Sequence, residues 1–230
     1  MKNIGLLGGM SWESTLEYYR ALNKGVQEAL GGLHSARIVM HSVDFDPIEA
    51  MMQRGEWDAI ARVLGNAAEG LEKAGADFFL ICTNTMHKLA ADIESRVDIP
   101  LLHIADATAE VLQTHGITRV GLLGTAFTME QDFYRERLLE YDVDVVIPEV
   151  EDRKIVNNVI FTELCRGKVN ADSRREYIRI MKALTERRAE AILFGCTEIG
   201  ILVDQKDVDI QLFDTTPIHA ASAVRMALAE

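Results

Sequence analysis

Cysteine is scarce in this sequence, and its distribution excludes most structural uses of thiols. Only three of the 230 residues are cysteines, Cys82, Cys165 and Cys196, and they lie far apart with no CxxC pair. An odd number of isolated cysteines is typical neither of a disulfide framework nor of a zinc knuckle. We therefore expect free thiols in a reducing compartment.

Positive charge and long apolar runs are also in short supply. The 24 Lys and Arg residues are outnumbered by 36 Asp and Glu, which gives a net charge of −12 with no basic block. Binding to nucleic acid or an anionic membrane surface would need such a block. No apolar run reaches the roughly 18 residues of a membrane span. The opening MKNIGLLGGMSWE predicts a buried strand rather than a secretory signal, so we expect a cytoplasmic protein without nucleic-acid or membrane partners.

What the chain does contain is a regular alternation of short apolar runs with longer segments of helical period. This alternation predicts an α/β fold, in which parallel strands are joined by helical crossovers. The predicted strands are 3–7, 37–43, 78–81 and 101–104, followed by 119–123, 143–147, 191–194 and 210–213.

The two sets of four strands resemble each other in sequence. KNIGLLGGM returns as TRVGLLGTAF, and AGADFFLICTNTM returns as RAEAILFGCTEIG. Gly5 and Gly121 are separated by about half of the chain, and so are Cys82 and Cys196. A duplication of this kind predicts two pseudo-symmetric lobes, each with a four-stranded, mainly parallel sheet flanked by helices.

The repeated cysteines follow equivalent strands of the two lobes. Ligands of open α/β sheets bind beyond the carboxyl ends of the strands, where Cys82 and Cys196 both lie. We therefore expect an active site in the cleft between the lobes, with the two thiols on opposite walls. Each cysteine alone is equally consistent with a small buried core residue. The matched pair favours a functional role.

Two opposed thiols suit the inversion of a carbon centre. Racemisation needs a base on one face of the α-carbon and an acid on the other, and a thiol of pKa near 8.5 serves in either role. Thr83, Asn84 and Thr85 follow Cys82 as capping residues of a predicted helix, and Thr197 follows Cys196. Helix N–H groups there are expected to lower the thiol pKa and hold the substrate carboxylate.

Other motifs point to local structure rather than to a further ligand. The glycines of GLLGGM match neither GxGxxG nor a Walker loop, so we predict a tight turn whose backbone reaches the ligand near Met10 and Ser11. His41, Asp44 and Asp46 alternate along the chain without a further histidine cluster, and no metal is expected. No lysine setting demands pyridoxal phosphate, and we expect no cofactor. For His87, helix packing is favoured over catalysis.

Together, GGM after the first strand, CTNTMH after the third and GCTE in the second half resemble the aspartate/glutamate racemase family. The glutamate racemase branch usually carries GCTH, so the aspartate racemase branch is nearer. The resemblance implies a cofactor-independent, two-cysteine homodimer with lobes 1–98 plus 212–230 and 99–211. It implies that Cys82 and Cys196 are the acid and base. It also implies that the substrate-binding site is lined by Met10, Thr83, Asn84, Thr85 and Thr197.

The chain departs from the aspartate-specific pattern at two positions. Members with that specificity grip the distal carboxylate with basic residues, where this sequence has Ile48 and Cys165. The resemblance therefore implies a pocket open to glutamate, aspartate or neutral polar amino acids, and arginine at position 48 is expected to favour acidic substrates. Four polar residues lie near these two positions in the sequence, but none is a clear replacement for the expected basic residues: Gln53, Arg54, Lys154 and Lys168.

Other functions stay open at the level of sequence. Relatives of the same fold decarboxylate malonates, isomerise maleate or racemise hydantoins, so the fold alone does not fix the reaction. Retention of both thiols favours racemisation over a decarboxylation that uses one. The alternative from a different class is a non-catalytic amino-acid-binding protein, which would bind without exchange of the α-proton.

Overall fold

A computed structural model describes residues 1–229, which divide into two compact units. The first unit comprises Met1–Ile104 together with the chain from His219 onward, and the second comprises Ala105–Ile218. The divisions thus lie at 104/105 and 218/219, whereas the sequence places lobe boundaries at 98/99 and 211/212. The structural divisions fall at the start of the helix Ile104–Thr114 and inside the helix Thr215–Leu228. The predicted boundaries fall in the loop before the first helix and within the strand Gln211–Asp214.

The first unit contains a small parallel sheet with helical crossovers. Its strands are β1 (Ile4–Gly8), β2 (Ile38–Ser42) and β3 (Phe78–Ile81), in the order β2-β1-β3. Leu7 of β1 is in register with His41 of β2 and Ile81 of β3, so the carboxyl ends of the three strands share one edge. The helices are α1 (Trp12–Leu30), α2 (Phe45–Arg54), α3 (Trp57–Lys73), a 3-10 helix (Thr85–Leu89) and α4 (Ala90–Glu94).

The predicted fourth strand of this unit, 101–104, is wrong. Only a single parallel bridge between Phe79 and Leu101 forms, with hydrogen bonds from Phe79 N–H to the Pro100 carbonyl and from Leu102 N–H to the Phe79 carbonyl. Helix α5 (Ile104–Thr114) begins immediately afterwards, which leaves no residues to extend the pairing. The first sheet therefore has three strands instead of four.

The second unit does carry a four-stranded parallel sheet. Strands β4 (Arg119–Gly124), β5 (Asp144–Val146), β6 (Ala191–Gly195) and β7 (Gln211–Asp214) lie in the order β5-β4-β6-β7. Its helices include α6 (Ala126–Glu130), α7 (Asp132–Leu139), α8 (Val150–Thr162), α9 (Ala171–Glu186) and α10 (Ile199–Leu202), with 3-10 helices at Leu164–Arg166 and Gln205–Asp207. Helix α11 (Thr215–Leu228) follows β7 and continues into the first unit.

The two sheets share a strand order, which agrees with the predicted duplication of sequence. In each sheet the first strand along the chain is central, flanked by the second on one side and the third on the other. Strands β1, β3 and β6 are buried along their whole length, as expected of parallel strands covered by helices on both faces. Seven of the eight predicted strands agree with the structure to within one residue at either end. Among the described residues, no helix has both the length and the apolar composition needed to cross a bilayer.

Candidate functional site

Cys82 is the first residue after β3 and lies in the core of the first unit. Its backbone N–H donates to the Leu7 carbonyl over 2.9 Å, which continues the pairing of β3 with β1 for one further residue. The side chain is 0% exposed and packs in a cluster that includes Leu80 and Tyr18. Burial raises the pKa of the Cys82 thiol far above its ordinary value, because a thiolate there would lose its hydration.

The segment after Cys82 differs from the predicted capped helix. Asn84 has helical backbone angles (φ −72°, ψ −47°) and makes no side-chain capping hydrogen bond, and the element that follows is a 3-10 helix of five residues. Thr83 is half-buried, while Asn84 and Thr85 are buried. The expectation that a helix N-terminus lowers the pKa of Cys82 is therefore wrong, since burial dominates at this position.

His87 fixes the backbone on which Cys82 and Thr83 lie. Ile104 N–H donates to His87 Nε2 over 3.2 Å, so that nitrogen must carry a lone pair. The hydrogen of the neutral ring is then on Nδ1, which donates to the Thr83 carbonyl over 2.9 Å. The buried ring thus joins the loop after β3 to the start of α5. The sequence prediction of packing over catalysis for His87 agrees with this arrangement.

Met10 lies beyond β1, in the predicted glycine turn, and is almost fully buried. Gly9 has φ +94°, and a Cβ atom there would meet the Val43 carbonyl oxygen at 2.2 Å. Its N–H donates to Thr15 Oγ1, and the Ser11 side chain accepts from Ser14 N–H to cap α1. The tight strand-to-helix turn predicted from GLLGGM is therefore confirmed.

Cys196 occupies the corresponding position after β6 in the second unit, and it too is buried, with 8% of the residue exposed. Its thiol donates to Glu198 Oε2 over 3.0 Å, and the Thr197 hydroxyl donates to the same oxygen over 2.5 Å. The Cys165 thiol lies 3.9 Å from the other carboxylate oxygen, Oε1. Glu198 is itself only 4% exposed, so two thiols and a hydroxyl surround a buried carboxylate.

This carboxylate changes the electrostatics of Cys196. Burial is the largest influence and raises the pKa of the thiol well above its ordinary value. The negative charge of Glu198 raises the pKa further, whereas the Glu198 backbone N–H, which donates to the sulfur, acts in the opposite direction. The pKa of Cys165 is raised to about 12, again by burial first and by Glu198 second. The expectation that helix N–H groups lower the pKa of Cys196 below its ordinary value is therefore wrong, because burial and the Glu198 charge outweigh them.

Glu198 is the residue that the sequence analysis missed as part of the site. Its signal was present, because GCTE places an acidic residue two positions after the thiol where the glutamate racemase branch usually has histidine. Spacing alone did not show that the turn after β6 folds this carboxylate back onto the sulfur. A buried ionisable cluster with a strongly shifted thiol is the kind of environment in which functional groups are found.

The two positions that the resemblance relates to substrate specificity have different surroundings. Ile48 is 1% exposed in α2, and Cys165 lies in the 3-10 helix Leu164–Arg166 beside Glu198. Arg54 pairs with Glu56, and Lys154 pairs with Glu151.

The predicted site residues fall into two groups, one in each unit. Cys82, Thr83, Asn84 and Thr85 follow β3, and Met10 follows β1 at the same edge of the first sheet. Cys196 and Thr197 follow β6, where Glu198 and Cys165 join them. Over residues 1–229, no three His, Cys, Asp or Glu side chains are grouped as metal ligands.

Comparisons with known proteins agree over nearly the whole chain. A family profile described as Asp/Glu/Hydantoin racemase matches residues 7–223. A crystal structure of a candidate Asp/Glu racemase from Yersinia pestis is 50% identical, with full coverage of both chains and a TM-score of 0.94. An aspartate racemase homologue from Pyrococcus horikoshii is 33% identical, with full coverage of both chains and a TM-score of 0.87. The broad specificity amino-acid racemase RacX of Bacillus subtilis is 23% identical over 98% of each chain.

Proposed function

Because the chain belongs to the Asp/Glu/hydantoin racemase family, we propose that it is a cofactor-independent amino-acid racemase with Cys82 and Cys196 as its two acid/base residues. The observation that carries this proposal is the matched position of the two thiols. Each follows the third strand of its sheet, next to the central strand, in a sequence whose halves repeat. A chance pair of core cysteines has no reason to occupy equivalent strand ends.

The proposed reaction moves one proton at each face of the α-carbon. One cysteine, as thiolate, removes the α-proton, and the thiol of the other donates a proton to the opposite face. The chemistry requires both thiols to face one substrate molecule, which stays a prediction. The roles exchange for the other enantiomer, because a thiol and a thiolate are the two forms of one group.

For the substrate, we propose aspartate, glutamate or a broader set of amino acids that includes neutral polar ones. Neither Ile48 nor Cys165 can form the bidentate contact of an arginine with a second carboxylate. A pocket without that contact discriminates acidic side chains less sharply. The Bacillus subtilis relative RacX, which is similar to this chain over almost its full length, is a broad specificity amino-acid racemase.

The test is incubation with a panel of L-amino acids in D₂O without added cofactor. Aspartate, glutamate, asparagine, glutamine and serine cover the proposed classes. We expect loss of the α-proton NMR signal and loss of optical rotation for at least one of them. Binding without exchange would indicate the amino-acid-binding alternative, and a lack of exchange with every substrate would contradict the racemase assignment.

The two thiols are tested by the variants Cys82→Ala and Cys196→Ala. Each should lower the rate of inversion by about 10²–10⁴-fold, the usual contribution of a positioned acid or base. Urea unfolding of each variant shows whether the fold has survived the change. If either folded variant keeps the turnover of the wild type, the assignment of two catalytic thiols is wrong.

A further inference from the structure

The buried carboxylate of Glu198 is in direct contact with the sulfur of Cys196. From the contact of 3.0 Å between Cys196 Sγ and Glu198 Oε2, we propose that Glu198 takes the thiol proton of Cys196 when that cysteine becomes a base. This inference rests on the proposed function and adds a residue to it. The group that moves is one proton, from Sγ to Oε2, and no other reactant is needed.

The first argument concerns charge within a buried cluster. Cys196 and Glu198 are 8% and 4% exposed, so a thiolate beside a carboxylate would place two negative charges side by side with little hydration. Transfer of the proton from sulfur to carboxylate keeps the cluster at a single negative charge. The thiolate therefore becomes accessible without a second buried charge.

The second argument concerns the geometry around each atom. The Glu198 backbone N–H donates to the Cys196 sulfur, and this contact stabilises the thiolate once the proton has left. The carboxylate oxygen that receives the proton also accepts from Thr197 Oγ1 over 2.5 Å, which holds Oε2 in place. One residue thus supplies both the acceptor for the proton and a donor to the remaining anion.

The neighbouring thiol and phenol are themselves protonated. Cys165 faces the second carboxylate oxygen, and burial and Glu198 raise its pKa to about 12. Tyr177 of α9 donates to the Val156 carbonyl, and burial raises its pKa as well. The Asp214 carboxylate at the end of β7 accepts from the Thr216 backbone N–H over 2.9 Å. Glu198 is the carboxylate in contact with Cys196 Sγ, so it is the group placed to receive this proton.

The proton balance over a turnover follows from this pairing. At rest the pair is a thiol and a carboxylate, and internal transfer gives a thiolate and a carboxylic acid. The thiolate removes the α-proton and becomes a thiol while Glu198 remains protonated, and the Cys82 thiol gives its proton to the opposite face and is left as a thiolate. Loss of one proton to solvent from the Glu198 pair and uptake of one by Cys82 restore the resting states. In the opposite direction that fully protonated pair donates from Sγ to the carbanion, which leaves the thiolate beside the neutral acid.

The experiment compares Glu198→Gln with the wild type in two independent measurements. The first is the pH dependence of alkylation of Cys196 by iodoacetamide, resolved by peptide mass spectrometry. Removal of the adjacent negative charge should lower the midpoint by about one pH unit or more, because like charges within hydrogen-bond distance raise a pKa by that order. The second is kcat/KM for racemisation, which should fall by about 10²-fold in both directions.

Together, the alkylation midpoint and kcat/KM distinguish a proton acceptor from a residue with only a structural role. Glutamine makes the thiol more acidic yet the enzyme slower. A loosened fold would also lower the alkylation midpoint by hydrating the thiol, but it would do so in Glu198→Asp as well, where the proposal keeps the midpoint high. The isotope effect with α-deuterated substrate should also rise for only one enantiomer, the one whose proton Cys196 removes. An unchanged midpoint or unchanged kcat/KM in folded Glu198→Gln would overturn the proposal.

Two further variants serve as control and second test. Glu163→Gln makes the same chemical change at a half-buried glutamate that accepts from Ser173 Oγ, and it should leave both measurements within about twofold of the wild type. Glu198→Asp keeps the charge but shortens the reach, so the alkylation midpoint should stay high while kcat/KM falls. Wild-type turnover in Glu198→Asp would also contradict the proposal.

Failure of the proposed function would have a different appearance from failure of this inference. If the wild type exchanges no α-proton with any amino acid, the racemase proposal is lost. The alkylation midpoint would still show whether Glu198 controls the protonation of Cys196. If the wild type racemises and the midpoint does not move, only the role of Glu198 is lost.

Discussion

At the scale of single residues, Ile48 shows how burial constrains a design of substrate specificity. The sequence suggests that arginine at position 48 should favour acidic substrates, but the side chain is 1% exposed within α2. We expect Ile48→Arg to lower the free energy of unfolding by about 3–5 kcal/mol, because a buried charge without a partner is strongly destabilising. Urea unfolding followed by tryptophan fluorescence measures this, since Trp12 and Trp57 both lie in the first unit.

The matched control at this position is Ile48→Leu, which keeps the volume and the apolar surface. It should cost less than about 1.5 kcal/mol. An Ile48→Arg protein with the urea midpoint of the wild type would show that the guanidinium reaches water or an anion. Arginine at position 48 would then be open to a test of substrate preference.

At the scale of elements, the turn between β1 and α1 is held by backbone contacts that only glycine permits. Gly9 has φ +94°, and an added Cβ would lie 2.2 Å from the Val43 carbonyl oxygen and 2.6 Å from the Val43 nitrogen. Gly55, at the end of α2, has φ +72° with nothing within 4 Å of the added atom. The two positions share a left-handed backbone and differ in free space.

This difference gives a paired prediction. Gly55→Ala should cost only the left-handed backbone penalty of about 1–2 kcal/mol. Gly9→Ala should cost at least about 2 kcal/mol more, because Val43 and the adjacent strand β2 must shift. Urea unfolding of both variants gives the comparison. Equal losses of stability would mean that the β1 turn relaxes freely around the new methyl group.

The elements also show what could be read from the sequence and what could not. Strands such as β3 and β6 were predictable because an apolar run of strand length depends only on local composition. The run 101–104 (LLHI) is also largely apolar and of strand length, yet it forms only one bridge. Helix α5 begins at Ile104, whose N–H donates to His87 instead. Local pattern cannot reveal which of two tertiary partners a backbone group will find.

In the candidate site, too, local sequence was predictive and tertiary contacts were not. Cys82 and Cys196 could be selected from their repetition along the chain, whereas the contact of Glu198 with Cys196 depends on a turn of three residues. Likewise, Thr83, Asn84 and Thr85 have the composition of a helix cap, but the element that begins at Thr85 is a 3-10 helix without a side-chain cap. The sequence identified the two thiols as candidate acid/base groups, whereas their burial in the fold raises their pKa values and keeps them protonated.

At the scale of the whole molecule, two buried neutral histidines link the stability of the first unit to pH. His219 Nε2 donates to the Leu102 carbonyl over 2.8 Å, so its Nδ1 accepts from the Tyr18 hydroxyl over 2.8 Å. Burial lowers the pKa of His219 to about 3 and that of His87 well below its usual value, and the neighbouring His103 adds to the second shift. The folded protein therefore keeps both rings neutral under conditions in which unfolded histidine binds a proton.

The sign of the resulting pH dependence follows from proton binding. Below a pH of about 6.5 the unfolded chain binds two protons that the folded chain does not, so stability is present above this pH and is lost as the pH falls. Between pH 7.5 and pH 5 we expect the free energy of unfolding to drop by about 4 kcal/mol. Each of the two histidines contributes a slope of about 1.4 kcal/mol per pH unit below pH 6.5. Urea unfolding by tryptophan fluorescence across this range measures the loss before most carboxylates titrate. His219→Gln should halve the pH dependence, while His34→Gln, a change at an exposed histidine, should leave it unchanged. A free energy of unfolding that stays constant from pH 7.5 to pH 5 would mean that the buried rings become protonated without unfolding.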